Sequence, residues 1–336
     1  MSAAGQARPF ERVAVVGGGS WGTALALVAR RAGREVRLLA RDAESVEALS
    51  LRGENPAYLP GIALGGPLAA TTDPAEALRD ADAVLLVTPA QTTRAMAGLI
   101  AAHVAPGTPL VLCAKGLERD SGLLLSEVVG EAAPACVPAV LSGPSFAADV
   151  ARGLPTAVTL AAEDGELADR LSATLASSQF RPYAATDLVG VQIGGALKNV
   201  LAIACGAVAG KGWGASALAA LTARGFAELA RLGEALGARP ETLTGLSGLG
   251  DLVLTCSSAQ SRNFAFGMAL GAGEDPAAAG GKLAEGVHTA SVAVAFAARH
   301  GVEVPISAAV ADVLAQRISL DGALASLMGR PLRREA

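Results

Sequence analysis

The chain has no paired cysteines, no histidine cluster, no basic stripe and no long uninterrupted apolar run, and each absence removes a class of function. Cys113, Cys136, Cys205 and Cys256 lie far apart with no C-x-x-C pair, which argues against a zinc site or a disulfide framework and for buried, reduced thiols. His103, His288 and His300 lack the spacing of metal ligands, so no metal is expected. A net charge of -4, a pI near 5.5 and scattered Lys and Arg offer nothing to neutralise a phosphate backbone, and nucleic acid is not expected as a partner. Although 51% of the residues are hydrophobic, the excess is largely Ala. The best membrane candidate, between Lys198 and Lys211, is too short to span a bilayer, so no membrane insertion is expected. Met1 to Glu11 has neither a basic n-region nor an apolar h-region, which makes the cytoplasm the expected location.

What is present is enough chain for two domains, each with a core of its own: 336 residues. The first half alternates short apolar runs with helical patterns. Arg12 to Val16, Glu35 to Ala40, Ala83 to Thr88, Pro109 to Cys113 and Val137 to Leu141 read as strands buried on both faces. Thr156 to Ala161, Glu166 to Ser177 and Phe180 to Ala184 add a strand, a helix and a strand. The pattern predicts an α/β fold, a doubly wound Rossmann-type sheet over residues 1–186. From Asp187 the rhythm becomes helical, through Leu188 to Val208, Ala215 to Leu236, Thr289 to Arg299 and Ile306 to Arg317, so residues 187–336 are expected to form an all-α substrate and catalytic domain. Gly53 to Gly66, rich in Pro and Gly, reads as an irregular loop.

Directly after the first strand stands Gly17-Gly18-Gly19-Ser20-Trp21-Gly22, a G-x-G-x-x-G run that opens a helix. Such a run is weak evidence alone, but its strand-turn-helix context points to a dinucleotide. Gly17 permits the tight turn, Gly19 lets backbone approach a pyrophosphate, and Gly22 lets helix pack on strand, with the N–H groups of Ser20 and Trp21 aimed at the anion. At the end of the second strand, Arg41 favours the 2′-phosphate of NADP, whereas Asp42 keeps NAD open; a merely solvated Arg41 is the plain alternative.

Hydride transfer at a carbinol also needs a group that moves the hydroxyl proton, and lysine can do this. Lys198, with Asn199, interrupts the apolar helical run Gly194 to Val200 and must either snorkel to water or face a cleft. Lys115 follows the strand ending at Cys113, and Ser142-Gly143-Pro144-Ser145 follows the next one. Both would stand at the carboxyl edge of the sheet, where ligands of such folds bind, or be ordinary loops. Gly248-Leu249-Gly250-Asp251, Thr255 and Ser261-Arg262-Asn263 offer hydroxyls, an amide and a guanidinium suited to a phosphate, or else an N-capped surface helix.

These motifs together, in order and spacing, resemble the NAD(P)-dependent sn-glycerol-3-phosphate dehydrogenase family from about Arg12 to about Arg330. The resemblance implies interconversion of dihydroxyacetone phosphate and sn-glycerol 3-phosphate with NADP(H) or NAD(H), supplying the backbone of phospholipids. It implies Lys198 as proton acceptor and Lys115 in contact with both substrate and cofactor. Gly143, Ser145, Asp251, Ser261, Arg262 and Asn263 would surround the substrate, with Asn199 and Thr255 supporting them. Ala147, Arg262, Leu283 and Glu285 would lie beside the dinucleotide; around Lys282 to Gly286 the family commonly has bulkier valines before the Glu-Gly pair. A homodimer is an open arrangement. The rivals are a dehydrogenase of a 3-hydroxy acid or sugar-acid phosphate, which would not require the Ser261-Arg262-Asn263 clamp, and a cofactor sensor without turnover, which would leave the lysines without a purpose.

Overall fold

A computed structural model of the chain describes residues 8–275 and 284–331. Eight strands, β1 (Arg12–Val16), β2 (Glu35–Leu39), β3 (Ala70–Thr71), β4 (Ala83–Leu86), β5 (Pro109–Leu112), β6 (Val137–Ser142), β7 (Thr156–Ala162) and β8 (Phe180–Ala185), form one sheet in the order β3-β2-β1-β4-β5-β6-β7-β8. The continuous apolar runs arise because both faces are covered. Val13 and Val15 of β1 enter one core with Val111, while Ala14 and Val16 enter the other with Leu110 and Leu112. The order reverses beside β1, between β2 and β4, which is where doubly wound sheets open a crevice at their carboxyl ends.

Two features depart from the plain parallel pattern. β3 is a strand the sequence did not announce: two residues paired through Leu38↔Ala70 and Leu39↔Thr71, too short to carry a periodicity. β6 and β7 pair antiparallel. The helix between them, Ala147–Arg152, has six residues and ends where Gly153 turns left-handed at φ 77. It climbs only about 9 Å, short of the roughly 20 Å spanned by a six-residue strand, so the chain re-enters the sheet from the same edge.

The chain divides into two compact units, Met1–Gln192 and Ile193–Ala336. The second is helical, with no strand among its described residues. The longest described helix, Leu188–Gly210, begins in the last residues of the first unit and continues into the second, and it starts where Asp187 accepts the Gly190 N–H at 2.8 Å. With 23 residues it is, by length and composition, long enough to cross a bilayer, unlike the shorter Lys198 to Lys211 stretch considered above. Of its most apolar window, 89% is buried within the protein, as in the core helix of a soluble domain. Its glycines are sites of backbone contact. A Cβ on Gly194 would lie 2.4 Å from the Ser247 carbonyl, and one on Gly206 or Gly210 would lie 2.1 Å from the carbonyls of Phe264 and Met268.

Glu228, on helix Ala215–Ala235, is 1% exposed and accepts the N–H groups of Ile306 and Ser307 and the Ser307 hydroxyl. It thereby caps helix Pro305–Leu314 from a distance, a role its own helix has no part in. Burial pushes its carboxyl above the ordinary range, so its contribution is fully present below the unfolded pKa and is lost as pH rises through the higher folded value. Glu228→Ala should destabilise the helical unit by about 2–4 kcal/mol through the donors left unpaired. In urea unfolding, the gap between wild type and variant should narrow from acid to alkaline pH; a gap that widens contradicts this assignment.

Candidate active site

The glycine turn is built by contacts that only hydrogen at Cα allows. The Gly17 N–H donates to Leu39 O at 3.0 Å, tying the turn to β2, and Gly17 adopts φ 125. A Cβ on Gly22 would lie 1.8 Å from the Gly17 carbonyl, so the helix Ser20–Arg31 packs directly on the turn. Gly19 differs, since a Cβ there would meet nothing within 4 Å. Gly19 is also the N-cap of that helix and supplies no side-chain acceptor, and the first turn carries no acidic residue. The N–H groups at the start of a 12-residue helix therefore face an open strip with no internal anion, which fits the pyrophosphate of a dinucleotide.

At the end of β2, Arg41 is exposed, while Asp42 is engaged locally. The Asp42 carboxylate accepts the Ser45 N–H at 2.8 Å and the Ser45 hydroxyl at 3.1 Å, capping helix Ala43–Glu47. Those bonds hold the Asp42 carboxyl below its ordinary range.

Lys115 and the segment after β6 do come together. The Lys115 ammonium donates to Gly143 O at 3.3 Å, and the Ser145 hydroxyl donates to the same carbonyl at 3.0 Å. Gly143 has φ 146, and a Cβ there would lie 2.9 Å from Val158 Cα, so β7 leaves room for glycine alone. Ala147 opens the short helix that follows.

In the helical unit, Lys198 neither snorkels nor stands exposed. It is 7% exposed, and its ammonium donates to the Asp251 carboxylate and, at 3.1 Å, to Thr255 Oγ1. Asp251 is fully buried, and Thr255 donates to the Asp251 carbonyl at 2.6 Å, one turn along helix Asp251–Cys256. The contact of Gly194 with Ser247 brings these helices close enough for the pair to form.

A second cluster adjoins the next residue. Asn263 Nδ2 donates to Asn199 Oδ1 at 2.9 Å, Asn263 Oδ1 accepts the Gly286 N–H at 2.9 Å, and Asn199 Nδ2 donates to Glu285 Oε2 at 3.3 Å. Arg262 lies 3.9 Å from Glu285 with its guanidinium mostly exposed. Ser261 caps helix Arg262–Gly271 by accepting the Phe264 N–H at 3.3 Å, but most of that helix is buried, so it is N-capped without being a surface helix. Leu283 and Lys282 lie outside the described residues.

Sequence reasoning did not single out Gly286, whose Cβ would fall 2.5 Å from the Asn199 carbonyl, or Asn55, which touches the glycine turn. A lone Asn-Pro in a loop was the only signal for Asn55.

A helix start open to an anion, at the point where a doubly wound sheet reverses its strand order, is the arrangement of a dinucleotide-binding domain. The family whose models match is narrower. Residues 12–168 match the N-terminal part of NAD-dependent glycerol-3-phosphate dehydrogenase and residues 187–325 its C-terminal part, and the chain belongs to that family. It is 62% identical to glycerol-3-phosphate dehydrogenase (NAD(P)+) of Azorhizobium caulinodans, covering 97% of this chain and 99% of the relative. The enzyme of the same name from a Bradyrhizobium species is 60% identical over 97% and 98%. The crystal structure of glycerol-3-phosphate dehydrogenase from Coxiella burnetii superposes with a TM-score of 0.89 at 38% identity, covering 96% of this chain and 99% of that one.

Gly19→Val should abolish NADPH binding while lowering the thermal midpoint only slightly, the cost of a poorer N-cap, because a Cβ there meets no protein atom within 4 Å. Dinucleotide titration followed by protein fluorescence measures this, and retained affinity would show that the turn is not the pyrophosphate site.

Proposed function

We propose that the protein interconverts dihydroxyacetone phosphate and sn-glycerol 3-phosphate, with Lys198 moving the proton. The observation that carries this reading is the buried Lys198 ammonium, held by Asp251 and Thr255 in an otherwise apolar helix. When bound, a nicotinamide dinucleotide supplies or accepts the hydride. The protein's own part is proton transfer, positioning and charge stabilisation.

In the reductive direction Lys198 gives a proton to the carbonyl oxygen as it becomes an alkoxide; in the oxidative direction it takes the hydroxyl proton. Asp251 keeps the amine oriented through the transfer, and Thr255 fixes it from a second side. Arg262, exposed at the start of a ten-residue helix, is suited to the substrate phosphate, where a bidentate fork and backbone donors can act together. Binding through that non-reacting group converts affinity into orientation at the reacting carbon. Lys115, gathered with Gly143 and Ser145, would stabilise charge on the substrate oxygen and touch the dinucleotide as well. Asn199 and Asn263 direct their amides to each other and to Glu285 and Gly286, so they support the cluster more than they reach outward. Glu285 and Ala147 are proposed beside the dinucleotide.

The cofactor we favour is NADP(H). Asp42 is engaged as a helix cap, which leaves the exposed Arg41 as the charged group at the end of β2 able to meet a 2′-phosphate. The cellular role proposed is cytoplasmic supply of glycerol 3-phosphate for phospholipid synthesis.

Two measurements test these assignments. Lys198→Ala should lower kcat by about 10²–10⁴-fold with NADPH affinity kept within about twofold; near-normal turnover removes Lys198 from the role. Arg41→Ala should cut kcat/KM for NADPH by about tenfold or more and change that for NADH little. A parallel fall for both cofactors would mean that Arg41 does not read the 2′-phosphate.

A further inference from the structure

The glycine turn has a weak point. The peptide unit between Gly18 and Gly19 joins two residues without Cβ, so little steric resistance opposes rotation of its plane. In a trans peptide the C=O and N–H point in opposite directions, so the side to which Gly18 C=O turns fixes the side to which Gly19 N–H turns. A flipped plane would aim an oxygen lone pair at the strip that Gly19 leaves open, where an anion must sit.

Asn55 stands on that carbonyl. Its side chain is buried, and Nδ2 donates to Gly18 O at 3.0 Å and to Thr23 Oγ1 at 2.7 Å. A carbonyl only accepts, so the amide nitrogen must be the atom that faces it. Thr23, fully buried, donates its hydroxyl to the same Gly18 carbonyl at 3.5 Å, so Asn55 holds that oxygen directly and also orients the hydroxyl beside it. Asn55 is itself fixed: its carbonyl accepts the Leu59 N–H at 2.7 Å, and Leu59, Ile62 and Leu64 sink into the core under the loop. Farther along, Arg30 donates to the carbonyls of Gly66 at 3.1 Å and Pro67 at 3.0 Å, fastening the loop to the same helix that the turn opens.

We propose that Asn55 is a positioning residue for dinucleotide binding, locking the Gly18–Gly19 peptide so that the Gly19 N–H is presented to the pyrophosphate. The inference rests on the reading that the turn holds the pyrophosphate. It assigns the loop between β2 and β3 a part in cofactor affinity although its asparagine touches only protein. The brace acts at one peptide, so its loss should be felt by ligands that carry a pyrophosphate and not by those that lack one.

The test compares NADPH with adenosine 2′-monophosphate, which has the adenosine end and its 2′-phosphate but no phosphate at the 5′ position, by equilibrium titration on the full chain. Asn55→Ala should weaken NADPH by about tenfold and the monophosphate by less than about twofold, the loss of one or two hydrogen bonds' worth of preorganisation. Asn55→Asp, which sets a carboxylate against the Gly18 carbonyl, should weaken NADPH further. Unchanged NADPH affinity in Asn55→Ala, or equal losses for both ligands, overturns the proposal. Should the Asn55 variants fail to fold, Thr23→Val decides: about a threefold loss confined to NADPH supports the brace, and no selective loss overturns it. Gly19→Val separates the two levels of the argument. If it binds NADPH normally, the turn is not the pyrophosphate site; if it loses NADPH while Asn55→Ala does not, only the brace is wrong.

Discussion

The buried ion pair between Lys198 and Asp251 is the constraint around which the helical unit is arranged. Two charges taken out of water lose several kcal/mol of hydration each, and only good geometry with additional hydrogen bonds offsets that loss. The chain meets the condition with Thr255 on the amine and with a backbone approach at Gly194 that lets the partner helix come near. A pair of this kind contributes little to stability, so stability alone does not account for a charge in this apolar helix. Everything adjoining it, from Asn199 through Asn263 to the start of helix Glu285–Arg299, extends the same fixed geometry outward.

The glycine turn follows a different physical logic. In the reading that it holds a pyrophosphate, the working groups would be backbone N–H donors, which cannot be tuned by changing a side chain, so the protein controls them through what lies behind. Gly22 sets the helix on the turn, Leu39 O ties down Gly17, and Asn55 occupies the rear of the Gly18 carbonyl. A site of this type is specified mainly by residues that never meet the ligand.

The legibility of the sequence follows from these differences. β1, β4 and β5 were readable because burial on both faces leaves an apolar run with no polar interruption, and the observed ends differ from the expected ones by no more than two residues. β3 was not readable, since two residues make no pattern. Lys198 stands out as a charge in an apolar helix, but its pairing with a carboxylate 53 positions away is not encoded in any local spacing. Asn55 was hidden for the same reason: its partners are a carbonyl and a hydroxyl 37 and 32 positions away, and no local spacing encodes them. The sequence keeps NAD open at Asp42 and gives no sign of the cap that Asp42 forms with Ser45 in the short helix after it. The family resemblance brings such distant residues together because it reads many motifs at once.

The glycine contacts along Leu188–Gly210 also bear on how this protein can drift over evolutionary time. At Gly194, Gly206 and Gly210 even a single methyl would collide with a neighbouring main chain. The helix that carries the buried Lys198 amine therefore tolerates almost no substitution at these inward positions, and variation must accumulate elsewhere. Mutational robustness and tight main-chain packing are here opposed within one stretch of chain, and the fixed place of the amine comes at the expense of the freedom to replace its neighbours.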